Sequence, residues 1–333
     1  MFATESQALT CGMASTLRVT AEHRAQREQL ATTAATTFSV TDLLLLVMAL
    51  LWGVNYIVAK FGTQVFAPLA FNSARITLAA VVLWIIVLLR HQPLPSRGDV
   101  VRLLALGVLG NGLYQIFFVE GLARTRASDT ALVLAASPAF MAVISRLRGL
   151  ERISWQGASG IALSLAGIGL VVSSASNGAA GTSTPLGYAL TVVACLCWSI
   201  YSVLLKPYTE RVDGLTLSAV TMTGGLVPML LVSAPALAAT PWGRVGPAAW
   251  GAVAYSGLLA LVVAYLFWYR GVRVLGPTRA SMYANLQPLV AIAVAWAVLG
   301  EAPRLAQIAG AACIMTGLLL TRIPASSTPV CGE

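Results

Sequence analysis

The sequence predicts an all-α membrane protein: ten transmembrane helices arranged as two five-helix repeats of inverted topology. Three observations carry that reading. Hydrophobic residues make up 58% of the 333 and charged residues 10%, with a mean hydropathy of +0.81; an average soluble domain is roughly a quarter charged. The apolar residues gather into runs near the ~20 that a helix needs to cross ~30 Å of hydrocarbon. The chain also aligns with itself. A slide of 150 residues pairs Gly121 with Gly271, Pro138 with Pro288, Glu151 with Glu301, Gly160 with Gly310 and Gly167 with Gly317, without a gap. Upstream the slide shortens to 146 and pairs Trp52 with Trp198 and Lys60 with Lys206, the chain's two lysines. Rare residues at a fixed spacing mark an internal duplication.

Taken in order, residues 1–41 are polar and lack sustained periodicity. They read as a disordered cytoplasmic tail with a short helix near Ala21–Leu30, and Met13 is an alternative start. The tail lacks the charged region, short apolar core and cleavage site of a signal peptide. The first repeat, 42–173, holds apolar spans at Leu43–Phe61, Leu69–Leu89, Val100–Leu122, Thr130–Ser145 and Trp155–Val172. The second, 186–322, holds Leu186–Leu205, Leu215–Leu231, Trp250–Tyr269, Ala280–Leu299 and Leu305–Leu320, and 323–333 form a cytoplasmic tail. The connections carry Pro, Gly, Ser and charged residues, as at His91–Gly98 and Ser173–Pro185.

Orientation follows from the basic residues. With the N-terminus in the cytoplasm, fifteen Lys and Arg fall inside and five outside, with Arg75 within a span. The positive-inside rule then places both termini in the cytoplasm. Five spans per repeat is an odd number, so the second half enters the membrane upside down. Such inverted repeats let a protein alternate between two conformations around a central site, which points to transport.

Two spans at matching places in the halves, Thr130–Ser145 and Ala280–Leu299, each carry one proline, Pro138 and Pro288. A proline has no N–H and its ring clashes with the carbonyl four residues back, so both helices are expected to bend and to free the carbonyls of Leu134 and Ala284. A freed carbonyl is costly in lipid, which turns both bends toward the bundle interior and marks them as the expected binding site. Polar and aromatic residues in the spans supply the candidate cavity. Span 1 gives Trp52, Asn55 and Tyr56, and span 2 gives Arg75 on one face with Asn72. Span 3 gives Asn111, Tyr114 and Gln115, expected to share a face. Span 6 gives Trp198 and Tyr201, span 8 Tyr265, and span 9 Asn285 and Gln287. Packing or an interfacial belt accounts for Trp52, Trp198 and Tyr265 equally well. Asn111 and Gln115 also suit interhelical hydrogen bonds, and Arg75 suits pairing with a carboxylate or carbonyls. Lys60 and Lys206, at span ends, read as snorkelling to headgroups. Gly160, Gly167, Gly169, Gly310 and Gly317 point to close helix contact.

Among the acids, Glu120 is the proton-coupling candidate, while Glu151 and Glu301 read as caps at helix starts. The five cysteines follow no ligand spacing, so neither metal nor disulfide framework is expected. The net charge of +9 is spread over the ends of apolar runs and makes no nucleic-acid patch. There is no GxxxxGK loop, no HExxH and no Ser/His/Asp set within the spans, so neither an ATP motor, an enzyme nor a cofactor is expected. Monomer and homodimer both stay open.

LLWGVNYIVAK at Leu50–Lys60 and PLAFNSARITLAA at Pro68–Ala80 resemble the first two spans of EamA-type members of the drug/metabolite transporter superfamily. GLARTRASDTALVLAASP at Gly121–Pro138 and LGEAPRLAQIAGAACIMTG at Leu299–Gly317 resemble that family's third-to-fourth-span and closing motifs. The resemblance covers Leu43–Thr321. It implies two EamA repeats around a central cavity, and export of amino acids, related metabolites or drugs. One departure stands out: Arg146 and Arg148 precede Glu151 where the family stays apolar, leaving an expected span 4 of only about sixteen residues. The expected function is a secondary exporter of small polar metabolites, with a multidrug carrier or a non-transporting membrane partner as the alternatives.

Overall fold

In a computed structural model, residues 39–149, 155–173, 183–275, 280 and 283–321 are described. The expected tails, the helix near Ala21–Leu30 and the capping role of Glu151 lie outside these residues.

Helix starts follow local chemistry. Helices α1 (Val40–Val65) and α2 (Pro68–Leu89) are followed by α3 (Arg97–Ala123), capped by Ser96, whose side chain accepts from the Asp99 N–H. After α4 (Ala127–Leu147) and α5 (Trp155–Ser173), Thr184 accepts from Gly187 N–H at the start of α6 (Pro185–Thr209). Asp213 does the same for Leu215 at α7 (Gly214–Ala239). Such caps satisfy donors that the first turn leaves orphaned, and Pro68, Pro185 and Pro247 stand where a missing N–H costs nothing. Helix α8 (Pro247–Leu275) precedes two shorter apolar helices, α9 (Gln287–Leu299) and α10 (Leu305–Thr321). Gly300 ends α9 with φ 67°, a conformation glycine adopts without penalty. Among the described residues, α1 to α8 are each long and apolar enough to cross a membrane.

The prolines do not kink continuous helices. Helix α4 breaks at Ala136 into Ala127–Ala135 and Ser137–Leu147, and Pro138 lies in the first turn of the second piece. Pro288 likewise lies in the first turn of α9. The Leu134 carbonyl is not left free, because the Ser137 hydroxyl donates to it. Nor is span 4 short: α4 runs 21 residues, starting before Thr130 and carrying Arg146 to its exposed last turn.

Two further irregularities match between the halves. Helix α3 widens into a π turn at Val108–Leu113 and α8 at Tyr255–Val263, where Tyr114 and Ala264 donate to carbonyls five residues back, Leu109 and Leu259. The packing repeats in the same way. Helix α3 packs on α6 and α7, and its counterpart α8 packs on α2, while α2 meets α7, α4 meets α9 and α5 meets α10. The α5–α10 pair packs backbone to backbone through glycines. A Cβ on Gly167 would lie 2.7 Å from the Gly310 carbonyl, and one on Gly310 2.8 Å from the Gly167 carbonyl. Gly169 faces open space and takes no part. Outward faces stay apolar, with Leu88, Leu231 and Ile308 exposed, as lipid favours and water does not.

Candidate functional site

The two helix breaks border one cavity of about 100 Å³. Ser137 and Pro138 stand at one break, Asn285, Gln287 and Pro288 at the other. Trp52, Asn55 and Tyr56 of α1 and Arg75 of α2 complete the first repeat's contribution, together with Tyr114, Gln115 and Phe118 of α3. Trp198 of α6 and Tyr265 of α8 come from the second repeat.

Arg75 is the charged residue of this lining and is 1% exposed. Its Nε donates to Asn72 Oδ1 at 2.7 Å and its Nη2 to Gln115 Oε1 at 2.6 Å. Asn72 is itself pinned, donating to the Gln115 carbonyl at 2.8 Å. The guanidinium also stands 5.7 Å from the Phe71 ring centre and 5.5 Å from that of Phe118, within cation–π reach. These partners fix its position, yet every one of them is neutral.

Part of the lining is aromatic. Trp52 and Trp198, which the 146-residue slide equates, meet edge-on with centres 6.3 Å apart, and Tyr265 packs on both, at 5.6 and 5.9 Å. Tyr114 lies 5.2 Å from Trp198. These residues therefore both pack together and line the cavity. The π turn of α8 anchors α1 beside them: Trp52 Nε1 donates to the Ala260 carbonyl at 2.9 Å and Ser256 Oγ to Asn55 Oδ1 at 2.7 Å.

Three sequence candidates lie elsewhere. Asn111 belongs to the π turn of α3, packs on Gly225 of α7, and its amide makes no hydrogen bond among the described residues. The extra residue in that turn rotates it off the face of Tyr114 and Gln115. Tyr201 is buried behind the cavity, its hydroxyl 3.0 Å from that of Tyr269. Glu120 pairs with Arg124 one turn along α3 and lies outside the cavity lining. Sequence reasoning missed Phe118, Ser137, Met141 and Trp268, all of which line the cavity. A helical projection of α3 would have put Phe118 with Tyr114; nothing local singles out the others.

At the end of the bundle that carries Lys60, polar ties join the halves. Arg126 lies 3.5 Å from Glu301 and donates to the Ala302 carbonyl, and Ser128 donates to Glu301 at 3.0 Å. Gln307 accepts from Arg304 N–H at 2.8 Å and donates to Ser128 and Asp129, while Tyr188 also donates to Asp129. Glu301 thus links two helices instead of capping one. Lys60 does not snorkel: its ammonium donates to the Leu122, Ala123 and Thr125 carbonyls at the end of α3. Its counterpart Lys206 is exposed.

The profile of the EamA-like transporter family matches the chain twice, over residues 39–173 and 185–323. The chain belongs to the EamA-like transporter family. This membership makes it an integral membrane protein of a transporter family, not an enzyme family. Among its relatives is an uncharacterized transporter, YyaM, of Bacillus subtilis, 26% identical over 293 residues that cover 86% of this chain and 96% of that one. The uncharacterized inner membrane transporter YedA of Escherichia coli K12 is 28% identical, covering 77% and 82%. A probable terminal-alkyne amino-acid exporter of Streptantibioticus cattleyicolor is 25% identical, covering 81% and 89%. One solved crystal structure, 21% identical, matches with a TM-score of 0.59 over 87% of this chain and 98% of that one, a likeness of fold alone.

Proposed function

We propose that this EamA-like protein is an inner-membrane exporter of small polar metabolites, such as amino acids or their derivatives, working by alternating access. The observation that carries this reading is the cavity at the two helix breaks, lined by both repeats and mixing amides, hydroxyls and aromatic rings. In the proposed cycle ten spans form two inverted repeats that rock about α4 and α9, with both termini cytoplasmic. Tyr56, Asn55, Gln115, Asn285 and Gln287 would offer hydrogen bonds, while Trp52, Trp198 and Tyr265 would shape the walls. The amino-acid exporter among the relatives supports the substrate class.

Multidrug efflux is the weaker reading. The cavity of about 100 Å³ is well below the roughly 300–1,000 Å³ of drug-sized sites, and its buried guanidinium repels lipophilic cations.

The test is counterflow in proteoliposomes, guided by a thermal-stability panel of amino acids, nucleotide sugars, sugar phosphates and lipophilic cations, since a ligand of the folded state raises its melting point. Saturable exchange within one polar class, lost in both Gln287→Ala and Asn55→Ala, is the expected outcome. Preference for lipophilic cations, or unchanged exchange in both variants, defeats the proposal.

A further inference from the structure

Ionised groups buried in a membrane protein pair with one another or with carbonyls, because an unpaired charge away from water is costly. Arg75 departs from that rule. It is among the largest fully buried side chains described, but its acceptors are two neutral amides and its ring contacts are uncharged. Among the described residues no hydrogen bond occupies Nη1, and no carboxylate lines the cavity that Arg75 borders.

The backbone adds positive potential at the same place. Ser137–Leu147 and Gln287–Leu299 both begin at the cavity, and a helix start carries the positive end of the helix dipole. Two such starts and one guanidinium border a small volume that, among the described residues, no carboxylate lines. Asn72 and Gln115 hold the fork in place before any ligand arrives.

We infer that the substrate carries an ionised carboxylate, which the free edge of Arg75 takes between the two helix starts. Its remaining part lies against the aromatic wall of Trp52, Trp198 and Tyr265. This assignment rests on the export reading and narrows it: matched amines and amides that lack the carboxylate are poor substrates. Asn72 and Gln115 act as positioning residues for the guanidinium.

Gln115→Glu supplies a test that works before the substrate is identified, because it places a carboxylate of the protein beside Arg75. Purified Gln115→Glu should melt several degrees above the wild type, and Arg75→Gln/Gln115→Glu, with a lone buried carboxylate, should melt below both. A Gln115→Glu protein that melts below the wild type shows the guanidinium already balanced and overturns the inference. The second arm compares small molecules in the medium of cells expressing the wild type, Gln115→Glu or an empty vector. Compounds enriched by the wild type should be acids ionised at pH 7, and Gln115→Glu, at equal membrane abundance, should release them about tenfold less or worse. Enrichment of neutral or cationic compounds, or acids released equally by both proteins, overturns the carboxylate while export stands. No enrichment by the wild type defeats the export reading and this inference with it.

Discussion

The ammonium of Lys60 stands 2.6 Å from the carbonyl oxygen of Thr125, with the carbonyls of Leu122 and Ala123 at 2.9 and 3.0 Å. One cation thus ties together three carbonyls where α3 ends and the chain turns toward α4. Its counterpart Lys206 is exposed in the same conformation, although the repeat offers it the equivalent carbonyls of Val272, Arg273 and Leu275. Lys60→Met should lower stability by about 1–3 kcal/mol, read as thermal unfolding in detergent. Lys206→Met should leave the melting point within about 0.5 kcal/mol of unchanged yet slow counterflow, if the two lysines take turns. Equal losses of stability in both variants would remove the alternation.

Ser128 and Glu301 join the two halves through a 3.0 Å hydrogen bond. In a protein freed of its native cysteines, Ser128→Cys with Glu301→Cys should be bridged by a short bifunctional thiol reagent. Bridging should stop counterflow, and reduction should restore it. Counterflow that continues through the bridged protein would show that this end of the bundle does not part during transport.

Gly310→Ala and Gly169→Ala should move stability in opposite directions. A methyl at 310 meets Val171 Cγ2 at 2.7 Å and backbone at 2.8 Å, so the α5–α10 pair has to spread, at a cost of about 1–3 kcal/mol. The methyl at 169 meets nothing and should stabilise its helix by up to about 1 kcal/mol. Melting curves of both variants check the contrast.

Trp52→Phe keeps a ring in the wall but removes the donor to the Ala260 carbonyl in the π turn of α8. A loss of about 1–3 kcal/mol is expected from the unpaired acceptor. A cost no larger than that of an exposed substitution would indicate that another group takes over the carbonyl.

Whatever depends on composition, repetition and chain-local stereochemistry is legible in the sequence. The matched prolines flag both interruptions, because proline's missing N–H is a property of the residue itself. Whether the helix kinks or restarts depends on Ser137 reaching back to Leu134, a matter of side-chain geometry. Arg75 beside Asn72 follows from their spacing; the absence of a carboxylate facing them does not, since it concerns every element around the cavity. Asn111 is misplaced by a count of 3.6 residues per turn through a stretch that widens, and no residue type announces a π turn. Lys60 reads as snorkelling for a similar reason: its acceptors lie more than sixty residues along the chain.

The paired π turns also bear on the history of the protein. A π turn holds one residue more than the α-helix around it, and removing or adding that residue shifts everything beyond it. The turns at Val108–Leu113 and Tyr255–Val263 fall at matching places in two halves whose sequences have otherwise drifted far apart. Two independent insertions at one spot are a poor explanation for such a match. A residue gained once, before the duplication that the repeat records, leaves the same widening in both halves.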